Sequence, residues 1–422
     1  MKKPVTDKFP RPGPVKPRQI RLGNSVPVYM IRAGSQPVAR VDILFRAGSW
    51  WQPKPLVASS ANAMLTEGTI YHSGDEIAQK TDYFGSYINT HIDRDNAFVS
   101  IYSLTKHLES LLPLIGEIIK VPSFPERELE TLLERKLQSY MIEMNRVGTI
   151  AREQFSSALY GKDHPYGQIL QPEHFKNVSS DDLHAFHRDF YKTGNCAVFI
   201  SGSYDEDSIA KLLDKTLGGT GWLSPPEAEM SMPQPLQTEK RDLLILKEDA
   251  VQSALRIGRR LFNRSHPDFP GMMVLNSILG GHFGSRLMQN IREKRGYTYG
   301  IGSVLAGLRH SGYIAVISEV GAGYRKDAVK EIYNELDRLR NKPVSKKELE
   351  LTKSLMLGEI LGSFDGPFAW LESIRNLVEH DLDDGFIDIL IETINGISAA
   401  RLQDLAGRYL LTGEMTEVVA GQ

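Results

Sequence analysis

Ser59, Asn62 and Ala63 stand at i, i+3 and i+4 within "PLVASSANAMLTEGT" (Pro55 to Thr69). On a helix this spacing puts them on one face, the arrangement that converging metal ligands or catalytic groups use. None of the three is a strong metal ligand or a general base, so the stretch is either a packing surface or a site without its chemistry. A second cluster, "SRLMQNIREKRGYTYGIGS", places Arg292, Arg295, Tyr297 and Tyr299 near the end of a helix and the start of a strand. Taken as bare residues, Arg292 and Lys294 read as solvated helix-end cations and the tyrosines as strand residues with one wet edge; a functional pair is the sharper alternative.

Other chemistry is sparse. G-x-x-x-x-G-K-[ST], G-x-S-x-G, H-E-x-x-H and H-x-x-E-H do not occur. His184 and His187 in "DDLHAFHRDFY" could with Asp181 form a helical metal face, but a third ligand and supporting shell are needed. A half-exposed helix with its acidic N-cap at Ser179 to Asp182 is the better reading. Gly280, Gly281 and Gly284 in "LGGHFGSRL" match no phosphate-loop spacing and read as tight packing or a turn. The single cysteine, Cys196, lies in the apolar strand "NCAVFISG" and reads as a buried, inert thiol.

The elements that must position these groups come from the whole chain. At 422 residues it is too long for one ordinary core, and two domains are expected. Hydrophobic residues at 41% and charged residues at 24% are those of a globular protein. A formal net charge of −2 gives no footprint for nucleic acid or an anionic membrane, so neither is an expected partner. No run is long and apolar enough for a transmembrane helix. One cysteine and the lack of a secretory-type h-region suggest a cytoplasmic location. The N-terminal "MKKPVTDKFPRPGPVKPRQ" reads as a proline-rich extended arm over residues 1–19.

Strand-like alternation ("VPVYMIR", "VARVDILFR", "NAFVSIYSL") and helical tracts ("ERELETLLERKLQSYMIEM") alternate up to Leu217. A Gly- and Pro-rich linker over 218–241 follows, and then the plan repeats. Glu128, Leu129 and Glu130 precede Glu348, Leu349 and Glu350 by 220 residues, while Ser179, Leu183, Thr193, Gly194 and Gly202 precede Ser398, Leu402, Thr412, Gly413 and Gly421 by 219. The expected fold is α+β, with two duplicated domains at 20–217 and 242–422, each a mostly antiparallel sheet covered by helices.

"LGGHFGSRLMQNIREKRGYTYGIGS" resembles the second-domain signature of the pitrilysin family of zinc peptidases, the inverzincins, which includes the mitochondrial processing peptidase. "RAGSW", "ALYGKDHPYGQ" at His164 to Gly167, the duplicated halves and the linker all suit the resemblance, which covers nearly the whole chain. The family's arginine, and its tyrosine seven positions later, fall on Arg292 and Tyr299 and not on Arg295 or Tyr297. The first-domain helix of the family reads G-L-A-H-F-L-E-H-M-L-F-K-G-T. Its two histidines fall on Ser59 and Ala63 and its general-base glutamate on Asn62. A further glutamate ligand falls at about Gln138 to Tyr140, where "KLQSYM" offers no carboxylate, and Glu134 and Glu143 are off the aligned position.

The resemblance implies two domains facing each other in a clamshell and no zinc or other cofactor in this chain. It also implies a homologous HxxEH-containing partner that carries the zinc, and a peptide substrate. In such a heterodimer this chain is the non-zinc-binding subunit, inactive alone, with Arg292 holding substrate and Tyr299 donating to the oxyanion. A substrate strand would add to a sheet edge, and Asn89 lies on the corresponding strand of the first half. The alternative is a structural subunit of a larger complex, like the core proteins of the respiratory bc1 complex, with no part in proteolysis.

Overall fold

A computed structural model describes residues 16–219, Trp222 and 242–422. The proline-rich arm lies outside the described residues up to residue 15, as does the linker apart from Gly218, Gly219 and Trp222. The alternating apolar segments of the first half become strands β1 (Arg18–Arg21), β2 (Pro27–Arg32), β3 (Val38–Phe45), β4 (Tyr87–Ile92), β5 (Ala97–Leu104) and β6 (Cys196–Gly202). They form one sheet in the order β1-β2-β6-β3-β5-β4, antiparallel except where β2 meets β6. The second half contributes β7 (Asp242–Leu246), β8 (Gln252–Leu261), β9 (Thr298–Gly307), β10 (Gly312–Gly321) and β11 (Thr416–Gly421), in the order β7-β11-β8-β10-β9. Its single parallel pair is β7 with β11.

With β1 set aside the two orders are the same, including the position of the parallel pair, so the duplication is one of topology. Among the described residues, the last strand of each order, β4 or β9, is a free edge.

The helices of the first half are α1 (Val57–Met64), α2 (Gly74–Tyr83), α3 (Leu108–Lys120), α4 (Glu126–Glu143), α5 (Val147–Tyr160), α6 (Ser180–Phe190) and α7 (Glu206–Leu217). Those of the second are α8 (Phe269–Asn276), α9 (Arg325–Asn341), α10 (Lys346–Gly362), α11 (Pro367–Glu379), α12 (Gly385–Gly396) and α13 (Ala399–Tyr409). The echoing segments fold alike. Ser179 caps α6 by accepting from the Asp182 N–H, and Ser398 caps α13 by accepting from the Arg401 N–H. The repeated glutamates and leucines fall near the starts of α4 and α10. No helix among the described residues is long and apolar enough to cross a membrane.

Each half has its own core between one sheet face and its helices, around Val41, Ile43 and Leu112 in the first and Leu255, Val316 and Leu336 in the second. The other sheet faces are covered by exchange. α5 leaves the first half and lays Ala151, Phe155 and Leu159 on Ala254, Ala315 and Val418 of the second sheet. In return α11 lays Leu371, Ile374 and Leu377 on Ile31, Phe98 and Phe199 of the first. Covering these faces takes apolar surface out of water at about 25 cal/mol per Å². Polar contacts fix the register: Ser201 Oγ donates to the Pro367 carbonyl at 2.6 Å, and Tyr160 Oη to that of Gly312 at 3.3 Å. Asp42, wholly buried in β3, accepts from Arg40 Nε and Nη2 at 2.8 Å each and from Arg375 of α11. The covering helix of each sheet therefore comes from the opposite half, an arrangement that the periodicity of either half does not disclose.

Candidate functional site

In the first half the three residues on the α1 face are committed to structure. Asn62 is buried, with Nδ2 donating to the His91 carbonyl of β4 at 2.8 Å and Oδ1 accepting from Tyr191 Oη at 3.0 Å. Both ends of the amide are thus consumed in tying α1 to β4 and to the residue after α6. Ser59 Oγ donates to the Leu56 carbonyl at 3.2 Å and accepts from Lys136 Nζ at 2.9 Å; the same ammonium reaches Ser60 Oγ at 3.4 Å. Ala63 offers no donor atom. On α4, Tyr140 Oη donates to the Leu170 carbonyl at 2.8 Å, and Glu143 pairs with Arg146 at 2.8 Å.

A catalytic zinc needs about three protein ligands and an open position. These residues do not fit it, since a lysine ammonium is bonded to the very face where the ligands would stand. Lys136 is visible in "KLQSYM", but its side chain's return to α1 had no signal in the sequence. Burial pulls the Lys136 ammonium down to about 8. The main chain at Leu56, just before α1, is left-handed at φ 74°, an uncommon and costly state for a bulky residue.

The second-half cluster separates cleanly. The helix that carries Arg292 is π-helical over Met288–Lys294, a local widening that recurs at functional sites. Arg292 Nε donates to the Tyr299 carbonyl at 2.9 Å, and its guanidinium lies over the Phe283 ring at 4.6 Å. Arg295 instead pairs with Glu331 at 2.8 Å, and Tyr297 stacks on Tyr324 at 4.9 Å. The structure thus joins Arg292 with Tyr299 and turns Arg295 and Tyr297 toward their own partners. Phe283 was not singled out by sequence, though its aromatic character beside "GG" was visible.

Tyr299 is 92% exposed, on the free edge strand β9. Ile301 pairs with Ser318 and Thr298 with Val320, so Tyr299 and Gly300 together oppose the single residue Glu319. Such a bulge twists the strand and re-aims its side chains. Thr298 Oγ1 secures it by donating to the Glu319 carbonyl at 2.6 Å and accepting from the Gly300 N–H at 3.1 Å. Behind this edge Gly280 lies so close to β9 that a Cβ would stand 2.4 Å from the Ser303 nitrogen, so the glycine serves tight packing. The topological counterpart of β9 is β4, where Asn89 is exposed and pairs with Ser100 alone.

The histidine pair touches neither Arg292 nor Tyr299, and His187 stacks at 5.1 Å on Tyr191, the residue that donates to Asn62. His187 bonds the Ile119 carbonyl through Nε2 at 2.7 Å, burial lowers it to about 4, and both His184 and His187 pack on Phe124. Among the described residues, no group of three or more His, Cys, Asp or Glu side chains could hold a metal ion. Cys196 is buried in β6, and burial pushes its thiol up.

Residues 177–356, which include Arg292 and Tyr299, match the family model of the peptidase M16 inactive domain. That stretch of the chain is thus similar to the peptidase M16 inactive domain. It is 25% identical to the uncharacterized zinc protease YmxG of Bacillus subtilis over 358 residues, covering 83% of this chain and 84% of that one. An uncharacterized zinc protease of Mycobacterium leprae is 23% identical over 363 residues, covering 82% and 80% of the two chains. The fold matches the crystal structure of a peptidase M16 inactive domain from Pseudomonas fluorescens with a TM-score of 0.88 at 23% identity, over 96% of this chain and 98% of that one. It matches a protease from Helicobacter pylori with a TM-score of 0.85 at 18% identity, over 96% and 99%.

Proposed function

We propose that this chain is the non-zinc-binding subunit of a two-chain zinc peptidase that acts on peptides or unfolded segments. The observation that carries the reading is the contrast between the two halves. The α1 face has its polar groups tied into the fold, whereas Arg292, from its π-helical turn, is joined to Tyr299 on an exposed, bulged edge strand. An edge strand offers main-chain groups to an extended peptide, which pairs as an added strand. Beside such a peptide Tyr299 donates its phenolic hydrogen bond to charge developing on a carbonyl oxygen. Arg292, positioned by its bond to the Tyr299 main chain, holds a substrate carbonyl. A homologous HxxEH-containing partner supplies the metal and the general base, and this chain holds no zinc of its own.

The test is reconstitution. Purified chain is mixed with a candidate HxxEH partner and cleavage of an unstructured peptide is followed. Activity well above that of the partner alone supports the reading; a mixture no more active than the partner across candidate partners sinks it and leaves the scaffold alternative. Stoichiometric zinc in the isolated chain by metal analysis contradicts the assignment of a metal-free subunit.

A further inference from the structure

The cavity between α1 and α4 has a chemistry of its own. It measures about 570 Å³, within the range of small-molecule pockets, and opens to solvent. Leu132, Leu170 and Phe175 give it an apolar wall, and Ser59, Lys136 and Arg152 lie on the same lining. The Lys136 ammonium makes its hydrogen bonds to two neutral acceptors, Ser59 Oγ and Ser60 Oγ. No carboxylate stands within ion-pair distance of it among the described residues.

The two acids on the lining do not neutralise it. Glu143 is engaged by Arg146 at 2.8 Å and by Thr149 Oγ1 at 3.2 Å. Glu153 has a buried Oε2 without a hydrogen-bond partner, and burial holds its carboxyl above the ordinary range. A half-buried ammonium with a third N–H, a nearby guanidinium and an apolar wall complement an apolar carboxylic acid.

We propose that this cavity is a carboxylate-binding site, in which Lys136 receives the carboxylate of an apolar acid, such as the C-terminal residue of a peptide, and Leu132, Leu170 and Phe175 cover its side chain. The site forms within this chain and does not depend on the partner reading above.

The test uses the full chain and three probes at pH 7: N-acetyl-phenylalanine, its amide, and a pentapeptide ending in phenylalanine with a free carboxylate. Calorimetry is expected to show the acid binding about tenfold or more tightly than the amide, the margin of one charge-assisted hydrogen bond. Tighter binding of the pentapeptide than of the single residue assigns the site to peptide C-termini; the reverse assigns it to small acids. Lys136→Met, which keeps the stem, removes the preference for acid over amide. Should that variant not fold, wild-type protein still decides: N-acetyl-phenylalanine and not its amide slows reductive methylation of Lys136, mapped by mass spectrometry. Equal affinity for acid and amide, no binding by either, or an unchanged Lys136 methylation rate overturns the proposal.

Discussion

The Arg292 guanidinium donates through Nε to the main-chain carbonyl of Tyr299, joining a π-helical turn to a bulged edge strand at 2.9 Å. The bond spends one of the arginine's five N–H donors on position and leaves its other face for a ligand. Removing the phenol should therefore cost activity in the reconstituted enzyme without loosening the fold. Tyr299→Phe is expected to lower turnover about a hundredfold, with the melting temperature unchanged, because one preorganised oxyanion donor is commonly worth about 3 kcal/mol. Equal turnover by this variant and the wild type would remove Tyr299 from the chemistry.

Phe283 lies under the Arg292 guanidinium and is 63% exposed, so its ring serves the arginine more than the core. Phe283→Ala should raise KM for the peptide more than it lowers kcat, by a factor of about two to five, as an exposed cation–π contact is worth about 0.5–1 kcal/mol. Phe283→Tyr should restore the wild-type value. A fall in kcat with KM unchanged argues against a positioning role.

The buried pair on Asp42 joins the halves. Asp42→Ala removes the buried acceptor shared by Arg40 and Arg375, leaving Arg40 with Glu372 and Arg375 with Glu379 as remaining carboxylates, and it should destabilise the chain by about 2–3 kcal/mol. Urea unfolding gives the value, and a loss below about 1 kcal/mol would show that the network is dispensable.

Lys136 gives stability an alkaline slope. Its ammonium is lowered from 10.5 to about 8 in the folded chain, so between those pH values the unfolded chain binds the extra proton. Stability therefore rises with pH across that window, by about 2 kcal/mol for this group, and the gain is absent below pH 8. Unfolding midpoints of the wild type and Lys136→Met at pH 7.5 and 10 should diverge in that sense. Parallel profiles would show that the lysine titrates normally.

His164 acts in the acid direction. Its Nδ1 accepts the Tyr166 N–H at 3.1 Å, its ring lies between Tyr160 and Trp50, and burial lowers it to about 4. Protonation must place a hydrogen on that acceptor nitrogen. Stability is thus full above pH 6.5 and falls as pH drops toward 4. His164→Asn, which keeps an acceptor without the charge, should flatten this part of the profile; an unaltered profile would assign the acid sensitivity elsewhere.

The duplication was legible because two registers, 220 and 219 residues apart, survive in caps and helix starts, and the structure extends them to the strand order itself. The resemblance singled out Arg292 and Tyr299, which share a hydrogen bond, whereas the contacts of Arg295 with Glu331 and of Tyr297 with Tyr324 had no signal in the sequence. Lys136 was not legible as a site residue. It lies 77 positions from Ser59, and nothing local tells a lysine that turns back onto α1 from one that points to water. The helix exchange was hidden for a similar reason: Phe155 and Leu371 are apolar whichever sheet they cover.

That exchange has a consequence for synthesis. The ribosome completes α5 before any strand of the second sheet exists, and the first sheet, complete at Gly202, keeps one face bare until α11 begins at Pro367. The nascent first half therefore carries two uncovered apolar surfaces while much of the second half is made, the kind of surface that recruits chaperones or aggregates. A chain truncated at residue 219 should accordingly fail to stay soluble alone and be rescued by the second half supplied in trans.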